Sequence, residues 1–550
     1  MAKRFFGLLL FLSLAFGPTF LGAPPDQVLT ILHASDTHSA LLPFGPQDKL
    51  GGIARMSTLI KTLRAKSENV LAFHSGDAFV GSFEFNKYLG YPELKIMEGL
   101  YDGMELGNHE FDLGLDVLTG VLTGAALGKE PLNLPILCAN IDETKLATDS
   151  DYQPYGPFLA SIIEPNKFEE LGEIKVGIFG LVNTDPQNYS ELALGVLTDP
   201  IAAALVQVNE LKVNQGCDVV ICLSHLGTMV DEMDLSAVPG IDIILGGHSH
   251  DSFAEPFTAA SGAIVVEGGE YGLFLGELKV RVNSGNGNGT SGVEALDYRL
   301  HKVDWRVRKD PRLLQSLARL KVGIVQDPRF GPVYTRHVAQ ALWDIEGKWD
   351  PNLQPRDTAL GNLVTDAVKA GVENAGFEVD AALEATGYIA HKIYKGKVVG
   401  NDIMRVVPYG YDPATGLGFK VVVAELNIYQ LAAGLEYSVQ YIPYAYDTLM
   451  QTSGLTYNFN SDNAANPALF PPTRVDFGSI LINGAAPNPD PDFKYKIALN
   501  EQVFRVLQGV DASITATETG LFVYRLVRDY ARQVNHLSSV SEGRILDTAN

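Results

Sequence analysis

The chain has 550 residues, of which 46% are hydrophobic and 19% charged, with 54 glycines and 29 prolines. This composition is that of an ordinary globular protein and excludes collagen-like and largely disordered chains. The 42 basic and 65 acidic side chains give a net charge of −23, which disfavours nucleic acid as a partner. An anionic substrate would need cations concentrated at its site, and divalent metal ions are the simplest source.

The first segment has the pattern of a targeting signal. A basic pair, Lys3 and Arg4, precedes an apolar run from Phe5 to Phe16, and helix-breaking residues follow. Because this run is too short to span a bilayer, we predict a signal peptide over residues 1–23. We expect a periplasmic or secreted protein with no membrane contact after the signal is removed; retention as an uncleaved anchor is the alternative.

Residues up to about 310 alternate short apolar runs with helical patterns. Several runs are almost continuous Val, Ile and Leu, which is typical of strands covered on both faces in a layered α/β domain. The predicted strands are Val28 to Leu32, Val70 to Phe73, Ile174 to Gly180, Val219 to Leu223 and Ile241 to Leu245. Loops at the carboxyl ends of such strands are the natural positions for a functional site.

A helix is predicted from Pro311 to about Val325, where leucines recur at helical spacing. It divides the mature chain into two parts, and the second part has the mixed pattern of a separate α/β or α+β domain. The predicted limits are 24–310 for the first domain, 311–333 for the linker helix and 334–550 for the second, smaller domain.

Five short polar motifs follow or end the apolar runs, and four of them stand at the exits of predicted parallel strands. The most specific is Gly107 to Asp112. In it Asn108 offers an amide oxygen as a ligand, His109 offers an imidazole, and Asp112 can hold that imidazole in one tautomer. So many polar residue types in six positions are rarely combined by chance.

The other four motifs are weaker when each is taken alone. An Asp such as Asp77 after a strand can bridge two cations, but it can equally cap the following helix. The pairs Asp36 with His38 and His248 with His250 alternate, so each pair can point to one side of an extended segment. His225 ends another predicted strand. Taken together, the five motifs indicate a metal site rather than five unrelated structural residues.

The ordered motifs resemble those of the calcineurin-like metallophosphoesterases, and more narrowly those of the periplasmic UDP-sugar hydrolase and 5′-nucleotidase family. The matching segments are Leu32–His38, Gly51–Arg55, Ser75–Asp77, Gly107–Asp112, Ser224–His225 and Gly247–His250. The resemblance implies a four-layer αββα sandwich, a second substrate-binding domain and two divalent metal ions. It implies that one ion is held by Asp36, His38, Asp77 and His250, and the other by Asp77, Asn108, His225 and His248.

The chemistry that follows from this resemblance is metal-assisted phosphoester hydrolysis. Two bound cations polarise a phosphoryl group and activate a water molecule for attack. His109 is free of the ligand set and can stabilise the phosphoryl oxygens or protonate the leaving group, with Asp112 orienting it. Mixed nitrogen and oxygen ligands suit Zn, Mn, Fe or Co, and the sequence does not choose among them.

The second domain resembles the substrate domain of the family less closely. Arg356, before a Gly-Asn-Leu helix start, and Tyr409, in a Pro-Tyr-Gly element, are expected to bind substrate. The aromatic ring of Tyr409 would stack on a nucleobase. This part of the resemblance makes a nucleotide the expected substrate.

Two departures from the family pattern bear on that substrate. Where the family has an Asn-Gly-Gly-Gly-Ile-Arg loop, this chain has Glu384 to Ala390. Glu384 is expected to place an anion near the substrate, which would weaken nucleotide binding unless Lys392 or Arg405 compensates. A late glycine-rich aromatic loop is also reduced, and the candidates for the second stacking face are Phe504 and Tyr524.

The sequence therefore predicts a secreted dinuclear metallophosphohydrolase that cleaves phosphate monoesters, with 5′-nucleotides as the leading substrate class. One alternative is a phosphodiesterase for cyclic or sugar nucleotides, or a hydrolase of another anionic ester such as a sulfur ester. A further alternative is a binding protein that has the fold without turnover. The oligomeric state does not follow from the sequence.

Overall fold

A computed structural model describes residues 27–186, 189–283, 292–348, 356–442, 446–466 and 471–549. The signal peptide predicted over residues 1–23 lies outside these ranges. Within them, no helix combines the length and the apolar character that crossing a lipid bilayer requires.

The first domain consists of two sheets with helices outside them. Its strands are β1 (Gln27–Ala34), β2 (Val70–Ser75), β3 (Gly103–Glu105), β4 (Ile136–Leu137), β5 (Ile163–Glu164), β6 (Asn166–Leu171), β7 (Ile174–Val182), β8 (Val219–His225), β9 (Ile243–Gly246), β10 (Phe257–Thr258), β11 (Ile264–Glu267), β12 (Phe274–Asn283) and β13 (Gly292–Lys302). Its helices are α1 (Ile53–Arg64), α2 (Phe83–Tyr88), α3 (Tyr91–Met97), α4 (Leu115–Leu122), α5 (Glu143–Thr148), α6 (Gly156–Ala160), α7 (Glu191–Leu194), α8 (Pro200–Val208) and α9 (Thr228–Met233), followed by the linker helix α10 (Pro311–Gln326).

The strand order places the ends of several parallel strands side by side. One sheet has the order β13-β12-β1-β2-β3-β4-β5, and the other has the order β10-β11-β9-β8-β7-β6. Strands β1 to β4 pair in parallel, as do β7, β8 and β9. The carboxyl ends of β1, β2 and β3 therefore share one edge, and those of β8 and β9 share the corresponding edge of the second sheet.

The alternation of side chains along β1 produces the layers. Leu29 and Ile31 enter an apolar core between the two sheets, where Ile221 of the second sheet also lies. Leu32 points the other way, into a core formed with α1 and its neighbours. A third core joins α8 to the outer face of the second sheet. The αββα sandwich expected from the sequence is confirmed.

The second domain is a smaller layered unit built on a mixed sheet. Its strands are β14 (His337–Ala341), β15 (Ala381–Ala385), β16 (Gly396–Val399), β17 (Lys420–Leu426), β18 (Met450–Ser453), β19 (Leu455–Phe459), β20 (Leu481–Ile482), β21 (Tyr495–Asn500), β22 (Thr515–Phe522), β23 (His536–Leu537) and β24 (Ile545–Asp547). Its helices are α11 (Ala359–Asn374), α12 (Gly400–Val406), α13 (Ile428–Ser438), α14 (Glu501–Val510) and α15 (Val523–Val534). The central sheet has the order β18-β15-β21-β17-β22, with α11 and α15 on one face and α13 and α14 on the other.

The two domains and the linker helix are joined by specific contacts. Lys61 and Lys87 of the first domain each lie 2.6 Å from an aspartate at one end of α10, Asp310 and Asp327 respectively. Phe83 of α2 is fully buried within a core of the second domain. Its ring centroid lies 4.9 Å from that of Phe330 and 5.4 Å from that of Tyr524.

We predict that Phe83→Ala lowers the free energy of unfolding by about 3–5 kcal/mol, because it leaves a cavity in a core shared by both domains. Urea denaturation measures the change. The control is Phe158→Ala, since Phe158 is 60% exposed and its truncation should change stability by less than about 0.5 kcal/mol. Equal effects of the two substitutions would contradict the role assigned to Phe83.

Candidate metal centre and catalytic site

The predicted polar residues gather where parallel strands of both sheets end. Asp36 and Asp77 each follow a strand by two residues, after β1 and β2, and Asn108 follows β3 by three. From the second sheet, His225 is the last residue of β8, and His248 follows β9 by two. Neighbouring parallel strands thus bring residues more than 200 positions apart to one edge of the sandwich.

At five residues of this edge the backbone is in the left-handed region, which residues other than glycine rarely adopt. The φ angles are 49° at Asp36, 44° at His38, 54° at Asp77, 75° at His248 and 60° at His250. Such conformations cost free energy and persist where the surrounding structure enforces them, most often at functional sites. Here they turn the side chains at the strand ends towards one another.

Two groups of donor atoms form at this edge. Within each group, all the donor atoms lie within 4.8 Å of one another. The first group contains Asp36, His38, Asp77 and His250, and the second contains Asp77, His225 and His248. His38 Nε2 lies 3.0 Å from His250 Nε2, and His225 Nε2 lies 3.1 Å from Asp77 Oδ2. Asp77 is the member that both groups share.

The imidazoles are held so that one particular nitrogen of each faces the centre. The Nδ1 atoms of His38 and His225 lie 3.2 Å and 2.6 Å from the carbonyl oxygens of Phe79 and Ser75. Because a carbonyl can only accept, each Nδ1 carries the hydrogen and donates it. Metal ligation by either ring then uses Nε2, which carries a lone pair in the neutral ring of His38. At His225 the carboxylates of Asp77 and Asp36 outweigh burial and raise the pKa to about 10, so a metal ion bound there would replace the proton on Nε2.

The donor set fits two divalent cations. His225 Nε2 is fully buried and has no hydrogen-bond partner of suitable geometry, and the close approach of two Nε2 atoms at His38 and His250 is unfavourable without a shared cation or proton. Burial lowers the pKa of His38 and of His248 to about 3, so both rings are neutral at physiological pH. Neutral imidazoles and buried carboxylates are ligands suited to the metals expected from the sequence.

Asn108 lies beside the second group of donors. It begins a one-turn helix, Asn108–Phe111, and its Oδ1 accepts a hydrogen bond of 3.3 Å from Asn183. The backbone N–H of the next residue, His109, donates to Asp77 Oδ1 at 3.0 Å. The second of these contacts places the backbone next to Asn108 against the shared carboxylate.

His109 and Asp112 form the pair expected from their spacing. His109 Nδ1 lies 2.9 Å from Asp112 Oδ2, and His109 Nε2 lies 3.9 Å from Asp77 Oδ2. Burial alone would lower the pKa of His109, but the carboxylates of Asp112 and Asp77 outweigh burial and raise it to about 9. The imidazole is therefore protonated at neutral pH, with Nε2–H at the edge of the donor groups.

Two glutamates that the sequence analysis did not single out support the site. Glu110 accepts backbone hydrogen bonds of 2.6–3.0 Å from Gly107, Asp77, Ala78 and Phe79, so it fixes the loop that carries Asp77. Glu270 lies 2.5 Å from His250 Nδ1 and orients that ring. Glu110 belongs to a quoted motif, whereas no local pattern marks Glu270.

The second domain contributes Tyr409 to the site. The Tyr409 ring is stacked on His109, with centroids 5.1 Å apart and an angle of 27° between the planes. Tyr388 meets Tyr409 edge to face at 5.8 Å. Arg356 is half-buried, and its backbone pairs with Leu546 at an isolated bridge, so its role in substrate binding stays a prediction.

The expectation that Glu384 places an anion near the substrate is wrong. Glu384 lies in β15, is 2% exposed and accepts a hydrogen bond from Asn500. Burial raises the pKa of its carboxyl to about 8, so the group is mostly uncharged at neutral pH. The cations proposed to compensate it have other contacts: Lys392 pairs with Glu346 at 2.9 Å, and Arg405 stacks on Phe44 at 4.2 Å.

Tyr524 is likewise not available as a second stacking face. It is 3% exposed, because its ring packs against Phe83 in the contact between the domains. Tyr388 is the aromatic residue that the structure places beside Tyr409. It lies in the same 384–390 segment in which the family's Asn and Arg are replaced.

We predict that Glu384→Gln reduces the dependence of stability on pH. The carboxyl ionises near 4.5 when unperturbed and near 8 in the folded chain, so between these values the unfolded state binds fewer protons. The free energy of unfolding therefore falls as pH rises from 6 to 8. Glutamine cannot ionise, and the fall should be smaller in the variant by on the order of 1–2 kcal/mol.

Urea denaturation at pH 6, 7 and 8 measures this difference between wild type and Glu384→Gln. Glu425→Gln is the matched control, since Glu425 is an exposed glutamate on the neighbouring part of the same sheet, in β17. If the free energy of unfolding of both variants depends on pH as that of the wild type does, Glu384 is not a buried neutral carboxyl.

Comparison with known proteins agrees with this architecture. The family model described as calcineurin-like phosphoesterase matches residues 29–252, and the one described as 5′-nucleotidase, C-terminal domain, matches residues 345–512. The first match contains the donor groups and His109. The second contains Arg356, Glu384 and Tyr409.

Similar proteins extend over nearly the whole chain. The trifunctional nucleotide phosphoesterase protein YfkN of Bacillus subtilis (strain 168) is 26% identical over 94% of this chain, which spans 35% of that protein's length. The 5′-nucleotidase of Diplobatis ommata is 25% identical over 96% of this chain and 91% of its own length. The crystal structure of the 5′-nucleotidase precursor from Thermus thermophilus has a TM-score of 0.77 and 26% identity, covering 95% of this chain and 99% of that one.

Both halves of the chain thus match the two domains of one enzyme family, and the donor groups lie within the first of them. The chain belongs to the 5′-nucleotidase family, as a calcineurin-like metallophosphoesterase joined to a 5′-nucleotidase C-terminal domain.

Proposed function

We propose that the protein is a secreted hydrolase of phosphate monoesters, with 5′-nucleotides as the leading substrates, and that it uses two divalent metal ions. The observation that carries the proposal is the pair of donor groups that share Asp77, with His109 Nε2 only 3.9 Å from that carboxylate. Protonated imidazole and metal ligands in one cleft provide what cleavage of an anionic ester needs.

The two cations, when bound, neutralise the charge of the phosphoryl group and activate water for attack. His109 has the complementary role. Asp112 holds Nδ1, so the proton that His109 can transfer is on Nε2, facing the donor groups. It can hydrogen-bond a phosphoryl oxygen or protonate the leaving alkoxide, which is a poor leaving group without a proton.

The substrate class is supported by the second domain. Tyr409 stacks on His109 and therefore lies close to where a phosphoryl group would react. An aromatic face at this position suits a nucleoside or another flat organic group. The uncharged state of Glu384 removes the repulsion that an ionised carboxylate would exert on a phosphate.

Localisation and partners follow from sequence features. The basic pair and apolar run before residue 23 support export to the periplasm or the exterior. The net charge of −23 argues against nucleic acid as a partner. It favours a small anionic substrate that is attracted by metal ions bound at the site.

A second candidate is hydrolysis of phosphodiesters such as cyclic or sugar nucleotides. It is favoured by the Bacillus relative, which is named a trifunctional nucleotide phosphoesterase. The 384–390 segment also lacks the family's Asn and Arg, so its substrate contacts can differ from those of a nucleotidase. Hydrolysis of a sulfur ester belongs to the same test.

The test is a substrate panel with the metal-loaded full-length protein. We expect adenosine 5′-monophosphate, followed by release of phosphate, to be hydrolysed faster than a cyclic nucleotide, a UDP-sugar or a sulfur ester, each followed by the product of its own cleavage. In His109→Ala, kcat should fall about 10²- to 10⁴-fold through loss of the proton donor, while two metal ions per chain remain by mass spectrometry. Asp77→Ala is the matched variant that should lose metal.

The other outcomes are decisive as well. Faster turnover of a diester or a sulfur ester would replace the monoester proposal. If the wild type binds two metal ions but hydrolyses nothing in the panel, and His109→Ala is indistinguishable from it, the protein is a binding protein.

Recognition of the base is tested at Tyr409 by comparing adenosine 5′-monophosphate with ribose 5-phosphate. We expect Tyr409→Ala to reduce the ratio of the two kcat/KM values about tenfold, because stacking on a base contributes about 1–3 kcal/mol. Tyr409→Phe should retain the ratio. An equal loss for both substrates would mean that Tyr409 supports His109 instead of contacting the base.

A further inference from the structure

A second cavity lies where the first domain, helix α10 and the second domain meet. Its volume is about 230 Å³, and none of its lining residues belongs to the metal centre. We call it the interdomain pocket and define it by Phe44, Arg55, Lys309, Lys321, Asp402 and Arg405. Its wall includes the end of the Gly51 to Arg55 motif, and this motif contributes no residue to the donor groups of the metal centre.

The interdomain pocket is basic within a strongly acidic protein. Four basic side chains line it, two on the domains and two at α10, against two acidic ones, Asp48 and Asp402. The carboxylate of Asp402 is already engaged, since it accepts a hydrogen bond of 2.8 Å from the backbone of Val399. The electrostatic balance inside the pocket therefore favours an anion.

The two arginines are buried, and one of them has a donor without a partner. Arg55 is 5% exposed and Arg405 is 4% exposed. Arg55 donates to the carbonyl oxygens of Gly51 and Asp48 at 2.8 and 2.9 Å, but its Nε is buried without a partner. Arg405 reaches the carbonyl oxygen of Leu42 at 3.5 Å. A buried guanidinium with an unused donor, as at Arg55, is costly unless an anion completes it.

The pocket also offers an apolar surface. The Phe44 ring carries the Arg405 guanidinium on its face at 4.2 Å, and Leu314 and Leu317 of α10 form the adjoining wall. A ligand of suitable chemistry has a negative group for the arginines and an apolar part for this wall. The volume is that of a small organic molecule.

We propose that the interdomain pocket binds a small organic anion, a phosphorylated or carboxylated molecule with an apolar part. Each domain supplies one buried arginine, and the two lysines lie in α10 and just before it. The bound anion therefore connects the first domain, α10 and the second domain. Such a ligand would favour the arrangement in which the two domains hold Arg55 and Arg405 together.

Calorimetric titration of the metal-loaded full-length protein tests this proposal with two probes, phenylphosphonate and benzoate. Phenylphosphonate is not hydrolysed, but it can also bind the metal ions. Variants of the pocket lining therefore separate binding in the interdomain pocket from binding at the metal centre. Lys309→Gln with Lys321→Gln removes two cations, and Ala318→Phe fills the cavity from α10. The control is Arg319→Gln, which removes an exposed charge from α10 outside the lining.

We expect at least one probe to show a saturable site that the lysine double variant weakens about tenfold or more and that Ala318→Phe abolishes. Arg319→Gln should leave that site within about twofold of wild type. A site for phenylphosphonate alone identifies a phosphorylated ligand, and a site for benzoate identifies a carboxylate. Far-ultraviolet circular dichroism, measured in parallel, shows that the variants are folded.

The proposal is overturned if neither probe binds outside the metal centre at millimolar concentration. It is also overturned if the bound site responds equally to Arg319→Gln and to the lysine double variant. Neither result would affect the proposed hydrolase activity, which depends on different residues.

Discussion

The shared carboxylate of Asp77 is the contact on which the site depends. It lies against imidazoles of both donor groups, at 3.1 Å from His225 and 3.9 Å from His38 and from His109. Burial would raise the pKa of Asp77, but the surrounding imidazoles, His225 first, lower it well below its usual range. A charged buried carboxylate of this kind is stable only among positive partners, so its position and that of the cationic groups are mutually dependent.

The surrounding structure is built to hold that carboxylate in place. Glu110 binds the backbone N–H groups on the Asp77 loop, and glycine is required where the loops come closest. A Cβ on Gly107 would lie 2.1 Å from Asp77 Oδ1, and one on Gly76 would lie 2.6 Å from the backbone nitrogen of Gly107. A larger residue at Gly107 would displace the carboxylate itself, and one at Gly76 would displace the backbone of Gly107 and the ring of His225. Both glycines are therefore packing requirements of the site.

The sequence predicts the parts of the site that are formed within one short segment. It does not predict contacts between segments that only the fold brings together. The strand exits and the motif Asn108 to Asp112 lie within short segments, so the meeting of these residues at one edge could be anticipated. The extended geometry predicted for Asp36 and His38 is wrong, because both residues are left-handed, with φ angles of 49° and 44°. The contact of Glu270 with His250 depends on how a loop after β11 folds back, which no spacing encodes. The charge state of Glu384 depends on burial in β15, and a sequence shows the residue type without its solvation.

The contact between Tyr409 and His109 limits how a substrate can be bound. Stacked aromatic rings have centroids at least about 4.5 Å apart, so a base inserted between these two rings would require roughly twice that separation. The observed distance is 5.1 Å, and no third ring fits between them. A nucleobase stacked on Tyr409 must therefore use the face turned away from His109, beside Tyr388, or the second domain must move so that Tyr409 leaves His109. In either case the ring that packs on His109 connects the second domain directly to the residue that we propose as the proton donor.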